Sequence, residues 1–406
     1  MNIDTLCGKG IHEWKQIKSL KTLEKYYVEE AQKQKNEDTF QRLMEAMMPY
    51  MDNFPKQKQA QKRWKKKGQR FLEDFMAKDD VFLVSGMDEH VSKLFQEITM
   101  SFLKDARLFD TSLSLEDIGQ AMRNVWIVVI LQCIFQKPVG YHKAMFAYSM
   151  LYPYSDNYLD DVDVSKEEKK QFNQWFSNRL QGISVEIHNA HEDKISQLVG
   201  MIEEVFERTQ FPDVYECLMM IQNAQILSLS QQDGEALKTQ QELEYISYRK
   251  GGSSVVADGF LIDGELNEEQ IMFCMRYGFM LQIGDDLQDM EEDRIHHHQT
   301  LLSRKDAAVD DIFYHLVQYT DEILRPQSVC RDEKLLNFVL EDCLFLLFLS
   351  IYNGRSLVKE GTYQEAFQCL CIRPAFIEAM KQQPRKKYSK EEIWERLDCF
   401  MADAKI

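Results

Sequence analysis

Turn-forming residues are scarce in this sequence: it holds 17 glycines and 8 prolines in 406 residues, where average proteins carry about 7% and 5%. The shortage argues against a turn-rich β fold, and plentiful Leu, Glu, Lys, Gln and Met favour helices. Cysteine pairing is missing too. The nine cysteines include no CxxC and one close pair, Cys369 and Cys371, so they read as reduced thiols rather than a disulfide framework. Long apolar runs are lacking. The longest, Val125–Leu131 and Cys343–Ile351, fall far short of the roughly 20 residues that span a bilayer, and no signal-peptide apolar stretch opens the chain. Positive charge is in deficit, with a net −17, which speaks against nucleic acid as a partner. The expectation is a soluble, cytoplasmic protein. At 44% hydrophobic and 28% charged residues, it is able to bury a sizeable core.

The pattern along the chain predicts an all-α protein in two parts. Residues 1–80 form a charged helical N-terminal extension, and residues 81–406 form one α-helical domain. Within the extension, Lys56–Arg70 carries eight basic residues and no acid. Ala60 and Trp64 at i and i+4 give it a thin apolar stripe. It reads as a solvated basic face, with peripheral contact to an anionic membrane through 56–70 as the alternative. Beyond it, apolar residues recur at helical spacing. Breaks are expected at Pro138, Pro212, Gly251-Gly252, Gly264, Pro326, Gly354 and Pro374, and Pro153 should kink a helix running from about Tyr141 to Val164. Ten or more helices in a bundle are expected.

Two acidic clusters stand out. The first is Asp156-Asn-Tyr-Leu-Asp160-Asp161-Val-Asp163 and the second Asp285-Asp286-Leu-Gln-Asp289-Met-Glu-Glu292-Asp293-Arg294. On a helix, Asp156, Asp160 and Asp163 fall at i, i+4 and i+7 within an arc of about 60°. Asp285, Asp289 and Glu292 repeat the spacing, with Asp293 beside them. Each cluster follows an apolar run. Two carboxylates about 5 Å apart repel by roughly 3 kcal/mol at an effective dielectric near 20, so a helix entering a core has no structural reason to stack them. One acidic i/i+4 pair is usually a solvated face; two such clusters point to a compensating cation. All-oxygen donors suit a hard ion, Mg²⁺ or Ca²⁺, and Mg²⁺ shares its remaining positions between water and substrate phosphate. Between the clusters, Arg249-Lys250-Gly251-Gly252 suggests a helix break that places cations and backbone amides near a phosphate, although alone it reads as a helix end. Arg294, Arg304 and Lys305 offer further cations. His296-His297-His298 reads as a polar loop, since three adjacent histidines cannot share a helix face.

Leu281-Gln-Ile-Gly-Asp285-Asp286-Leu-Gln-Asp289 resembles the second aspartate-rich motif of class I isoprenoid (terpene and prenyl) synthases. Asp156–Asp163 resembles the first, and Tyr248-Arg-Lys-Gly-Gly the intervening basic segment. The likeness covers roughly residues 120–305. It implies a class I terpenoid-synthase helical bundle around a central apolar cavity. Mg²⁺, usually three ions in the family, would bridge the motifs to a prenyl diphosphate. Asp156, Asp160, Asp285 and Asp289 would be the catalytic metal ligands, with Asp163 and Asp293 further ligands. Arg249, Lys250 and Arg294 would hold the diphosphate, and Tyr158, Phe279, Met280 and Gln282 would lie near the cavity or in ordinary core packing. Relatives commonly pair as homodimers. The first motif is not a strict DDxxD, the second lacks an NSE pattern, and no GGKxxR-like segment is present. The resemblance is therefore nearest to squalene/phytoene-like and large bacterial terpene synthases.

The leading expectation is a Mg²⁺-dependent lyase that ionises a long linear prenyl diphosphate to a terpene plus diphosphate. The second is a transferase condensing two isoprenoid diphosphates, by elongation or head-to-head coupling. The third is a catalytically inactive helical interaction protein.

Overall fold

Local sequence starts most of the helices in the computed structural model, which describes residues 2–18, 20–76, 89–161, 163–232, 237–326, 328–382 and 387–401. Numbered in chain order, the first nine helices are α1 (Ile3–Gln16), α2 (Glu30–Asp52), α3 (Lys58–Met76), α4 (Glu89–Phe109), α5 (Leu115–Ile134), α6 (Lys143–Asp160), α7 (Lys166–Leu180), α8 (Ala190–Val205) and α9 (Pro212–Ser228). The rest are α10 (Gln240–Asp263), α11 (Glu268–Gln288), α12 (Met290–Ile295), α13 (Val309–Tyr319), α14 (Glu333–Asn353), α15 (Glu360–Cys369), α16 (Pro374–Gln382) and α17 (Lys390–Met401). Ser114, Ser165, Thr239 and Asn267 close reciprocal capping boxes on α5, α7, α10 and α11, each satisfying two backbone donors that a helix start leaves open. Pro212 occupies the first turn of α9, where its missing N–H is harmless. Gly264 ends α10 at φ 87°, a left-handed cap that a side chain would strain. Helix accounts for 77% of the structure and there is no strand among the described residues, so the all-α expectation holds.

The central layer is α5, α6, α9, α10 and α11, with α6 packed on α5 and α8 and α10 packed on α9 and α11. Two sequence expectations fail here. Gly251-Gly252 does not break a helix, because α10 runs through it unbroken. These glycines serve packing instead. A Cβ on Gly251 would stand 2.2 Å from the Gly278 carbonyl oxygen, and one on Gly278 would stand 2.0 Å from that of Gly251, so α10 and α11 touch backbone to backbone. The second failure concerns α6. Pro153 lies inside it, but the helix stops at Asp160 rather than near Val164. Asp161 turns extended and its side chain accepts the Asp163 N–H at 2.8 Å. A side chain competing for backbone donors, added to anions at the negative end of a helix dipole, explains the early stop.

The N-terminal helices adjoin this layer. Cys7, Trp14, Ile17 and Leu23 are buried in the same apolar core as α10 and α11. Trp14 meets Phe279 edge-on with ring centroids 5.2 Å apart, and Glu13 forks onto Arg276 at 2.6 and 2.8 Å. Trp64 of α3 stacks on Tyr50 and meets Phe400 of α17. The apolar stripe of α3 is therefore covered, while Lys58, Lys62, Arg63, Lys66, Lys67 and Arg70 face outward. The boundary expected at residue 80 lies outside the described residues. By length and composition α14 could cross a membrane, but 61% of its apolar stretch is buried within the bundle, against α11 and α15.

Candidate active site

Helices α5, α6, α7, α9, α10 and α11 line a cavity of about 140 Å³. Its polar lining includes Asp156 from α6, Gln225 from α9, Lys250 from α10, Gln282 and Asp285 from α11, and Asn124 from α5. Its apolar and aromatic lining includes Tyr148, Leu151, Phe176, Leu180, Leu218 and Ile221. Residues from both acidic clusters and the intervening basic segment thus line one cavity.

Each acid is held differently. Asp156 is nearly buried, and Gln225 Nε2 donates to its Oδ1 at 2.6 Å. Asp285 has a half-exposed side chain and lies 3.9 Å from Arg123 Nη1. Asp286 is buried. It accepts Gln282 Nε2 at 2.8 Å on one oxygen, while the other, Oδ2, has no hydrogen-bond partner. Burial, opposed by the Gln282 hydrogen bond, pushes its carboxyl up to about 7. Burial, aided by the charges of Asp285, Asp293 and Glu292, pushes Asp289 up to about 6. Asp289 is the C-cap of α11, and Asp293 on α12 faces His298 Nδ1 at 3.3 Å. Both clusters therefore sit at helix C-termini, where the dipole is itself negative.

The acids of the two clusters offer oxygen donors only, the kind a hard divalent cation would take. The charges of Asp285, Asp293 and Glu292 raise the affinity of Asp289 for protons, and Asp286, which does not line the cavity, keeps one buried oxygen without a hydrogen-bond partner. Among the described residues no three His, Cys, Asp or Glu side chains converge into a ready-made cage. Mg²⁺ does not require one, since it commonly takes one or two carboxylates and completes its shell with water and substrate phosphate.

Not every expected residue reaches the cavity: Asp156 and Asp285 line it, whereas Asp289 and Asp293 are not among its lining residues. Lys250 does reach it. Arg249, one residue and about 100° further round α10, turns away instead: it donates to Tyr245 Oη of its own helix at 2.7 Å and pairs with Asp4 of α1 at 3.4 Å. Arg294 donates to the Leu302 carbonyl at 3.1 Å, bracing the loop after α12, and it is not a cavity residue. Asp163 lies exposed beyond the end of α6, off the helical face expected for it. The side chain of Asp160 lies outside the described residues. Of the four residues expected near the cavity, Gln282 lines it. Phe279 packs among Trp14, Tyr248 and Tyr319, Met280 is buried in the core, and Tyr158 stacks on His191.

Arg123, Asn124, Gln222 and Gln225 escaped the sequence reading. A signal for two of them existed, because Gln222 and Gln225 are amides at i and i+3 inside the apolar α9. Gln222 donates to Asn173 at 2.9 Å and also lines the cavity. No family model matches this chain, and no curated protein matches it significantly.

Proposed function

We propose that the chain is an isoprenoid-diphosphate enzyme of the class I terpenoid-synthase fold. More particularly, we read it as a Mg²⁺-dependent terpene synthase that ionises a prenyl diphosphate. One observation carries this: Asp156, Lys250 and Asp285, from the two acidic clusters and the basic segment between them, line the same cavity as an apolar, aromatic wall. Asp156 and Asp160 would hold metal on one side, and Asp285 and Asp289 on the other. Bound Mg²⁺ would neutralise charge developing on the leaving diphosphate. Lys250 and Arg123 add cations for the same anion. Tyr148, Leu151, Phe176 and Leu218 exclude water from the organic end, and the aromatic faces favour positive charge there.

At about 140 Å³, the cavity resembles in size one that holds a benzene ring. A long prenyl tail must therefore displace wall side chains, and chain length is the first variable to scan. Diphosphate release would be followed with Mg²⁺ and C10 to C35 prenyl diphosphates, each with and without isopentenyl diphosphate, and extracts would be analysed by mass spectrometry. The expected result is release from a single allylic substrate, reduced about 100-fold or more in Asp285→Ala/Asp289→Ala. A product requiring two substrates would replace lyase by transferase. No release across the panel, together with a Tm unmoved by Mg²⁺ plus inorganic diphosphate, would refute the enzyme reading and leave the helical interaction protein.

A further inference from the structure

Asp258 is a carboxylic acid with nothing to hold it. It is fully buried in α10, and neither carboxylate oxygen has a hydrogen-bond partner. A polar group buried in this way destabilises a fold, and an apolar side chain of similar volume would serve packing better. Its position suggests what the cost secures. Lys250, Ser254 and Asp258 follow one another at i, i+4 and i+8, within an arc of about 80° and roughly 6 Å apart along the axis. Lys250 and Ser254 line the cavity; Asp258, one turn further along the same face of α10, lies behind that lining rather than in it. Tyr148, a wall residue, spans the step by donating to the Ser254 carbonyl at 3.2 Å. The titratable groups that feel Asp258 are Tyr148 from α6, Cys217 from α9, and Cys274 and Tyr277 from α11. None of these is a cation. The cationic Lys250 stands at the other end of the row.

We infer that the occupant of this cavity carries a positive centre toward the side that Asp258 backs, and that Asp258 is the counter-charge for it. The ligand class is an apolar group bearing a cation: an ammonium, or the allylic cation that loss of diphosphate would leave. The origin of that charge rests on the function proposed above; the binding preference does not. Desolvation pushes the Asp258 carboxyl well above the ordinary carboxylate range and so favours its protonated form. When a cation enters, the proton leaves to solvent and the carboxylate remains as the partner.

The test is calorimetric titration of the full chain with N,N-dimethylcyclohexylammonium at pH 7.5, in two buffers of different ionisation enthalpy. Wild type should bind and release about one proton. Asp258→Asn should bind about tenfold or more weakly and release none, while neutral methoxycyclohexane should not distinguish the two. Asp258→Leu provides a second folded variant if the amide is not tolerated. Equal ammonium binding by wild type and variant, or none by wild type, would overturn the inference. So would loss of folding in both variants, which marks a purely structural acid. Ammonium discrimination without diphosphate release from any substrate would sink the enzyme reading alone. Diphosphate release without discrimination would sink the role of Asp258 alone.

Discussion

At the scale of single residues, environment separates acids that look equivalent in sequence. Asp285 keeps a half-exposed side chain beside Arg123, whereas its neighbour Asp286 is buried with one oxygen unpartnered. Asp258 is the extreme case, since burial alone holds its carboxyl well above the ordinary range. The sign of the consequence follows from linkage. The folded state keeps a proton that the unfolded chain, titrating near pH 4, has lost. The stability this group contributes is full below that value and declines as pH rises toward the folded value. Asn does not titrate. Asp258→Asn should therefore gain on wild type by about 1.4 kcal/mol for each pH unit within that interval. Urea melts at pH 5 and pH 6 measure it directly, and a difference that does not grow between them would mean that the folded protein holds Asp258 ionised.

Among the elements, the contact of α10 with α11 governs the site, because it sets the azimuth of Lys250 against Asp285. The Gly251–Gly278 approach offers no flexible side chain that could give way. Gly251→Ala must push two backbones apart, and it should cost about 1–3 kcal/mol or more while also disturbing the cavity. Gly119 of α5 is the matched control: nothing lies within 4 Å of its added Cβ, so Gly119→Ala should stabilise by about 0.5–1 kcal/mol. Comparable losses from both would show that helix propensity, not close approach, dominates. The same contact explains the limits of legibility. The acid clusters and Lys250 stand out in sequence because charge inside apolar runs is anomalous. A glycine pair, by contrast, reads equally well as a break or as a packing notch. Adjacent positions on a helix face about 100° apart, which sends Arg249 to Asp4 and Lys250 to the cavity. Arg123 was invisible for another reason: its partner Asp285 is remote in the chain, and no local pattern joins them. The end of α6 was misjudged because spacing counts residues, whereas repulsion at a helix C-terminus acts on charge.

For the molecule as a whole, charge and packing divide the N-terminal segment into parts that behave differently. Net charge is −17, yet the outward face of α3 is basic, and exposed charges of this kind contribute little to stability. Lys62→Glu with Lys66→Glu should shift unfolding by no more than about 0.5 kcal/mol. Trp14 is the contrast. It is 6% exposed, sits among Phe279, His315 and Tyr319, and its helix is pinned by Glu13–Arg276 and Asp4–Tyr245. Removing the indole opens a cavity against α11, which carries Asp285 at its far end. Trp14→Ala should therefore cost about 3–5 kcal/mol in one cooperative urea transition, with no earlier step for the N-terminal helix. A separate low-urea step, or a loss under about 0.5 kcal/mol, would make α1 an appendage. A single shifted transition would make it a wall of the bundle that sets the cavity's shape from behind.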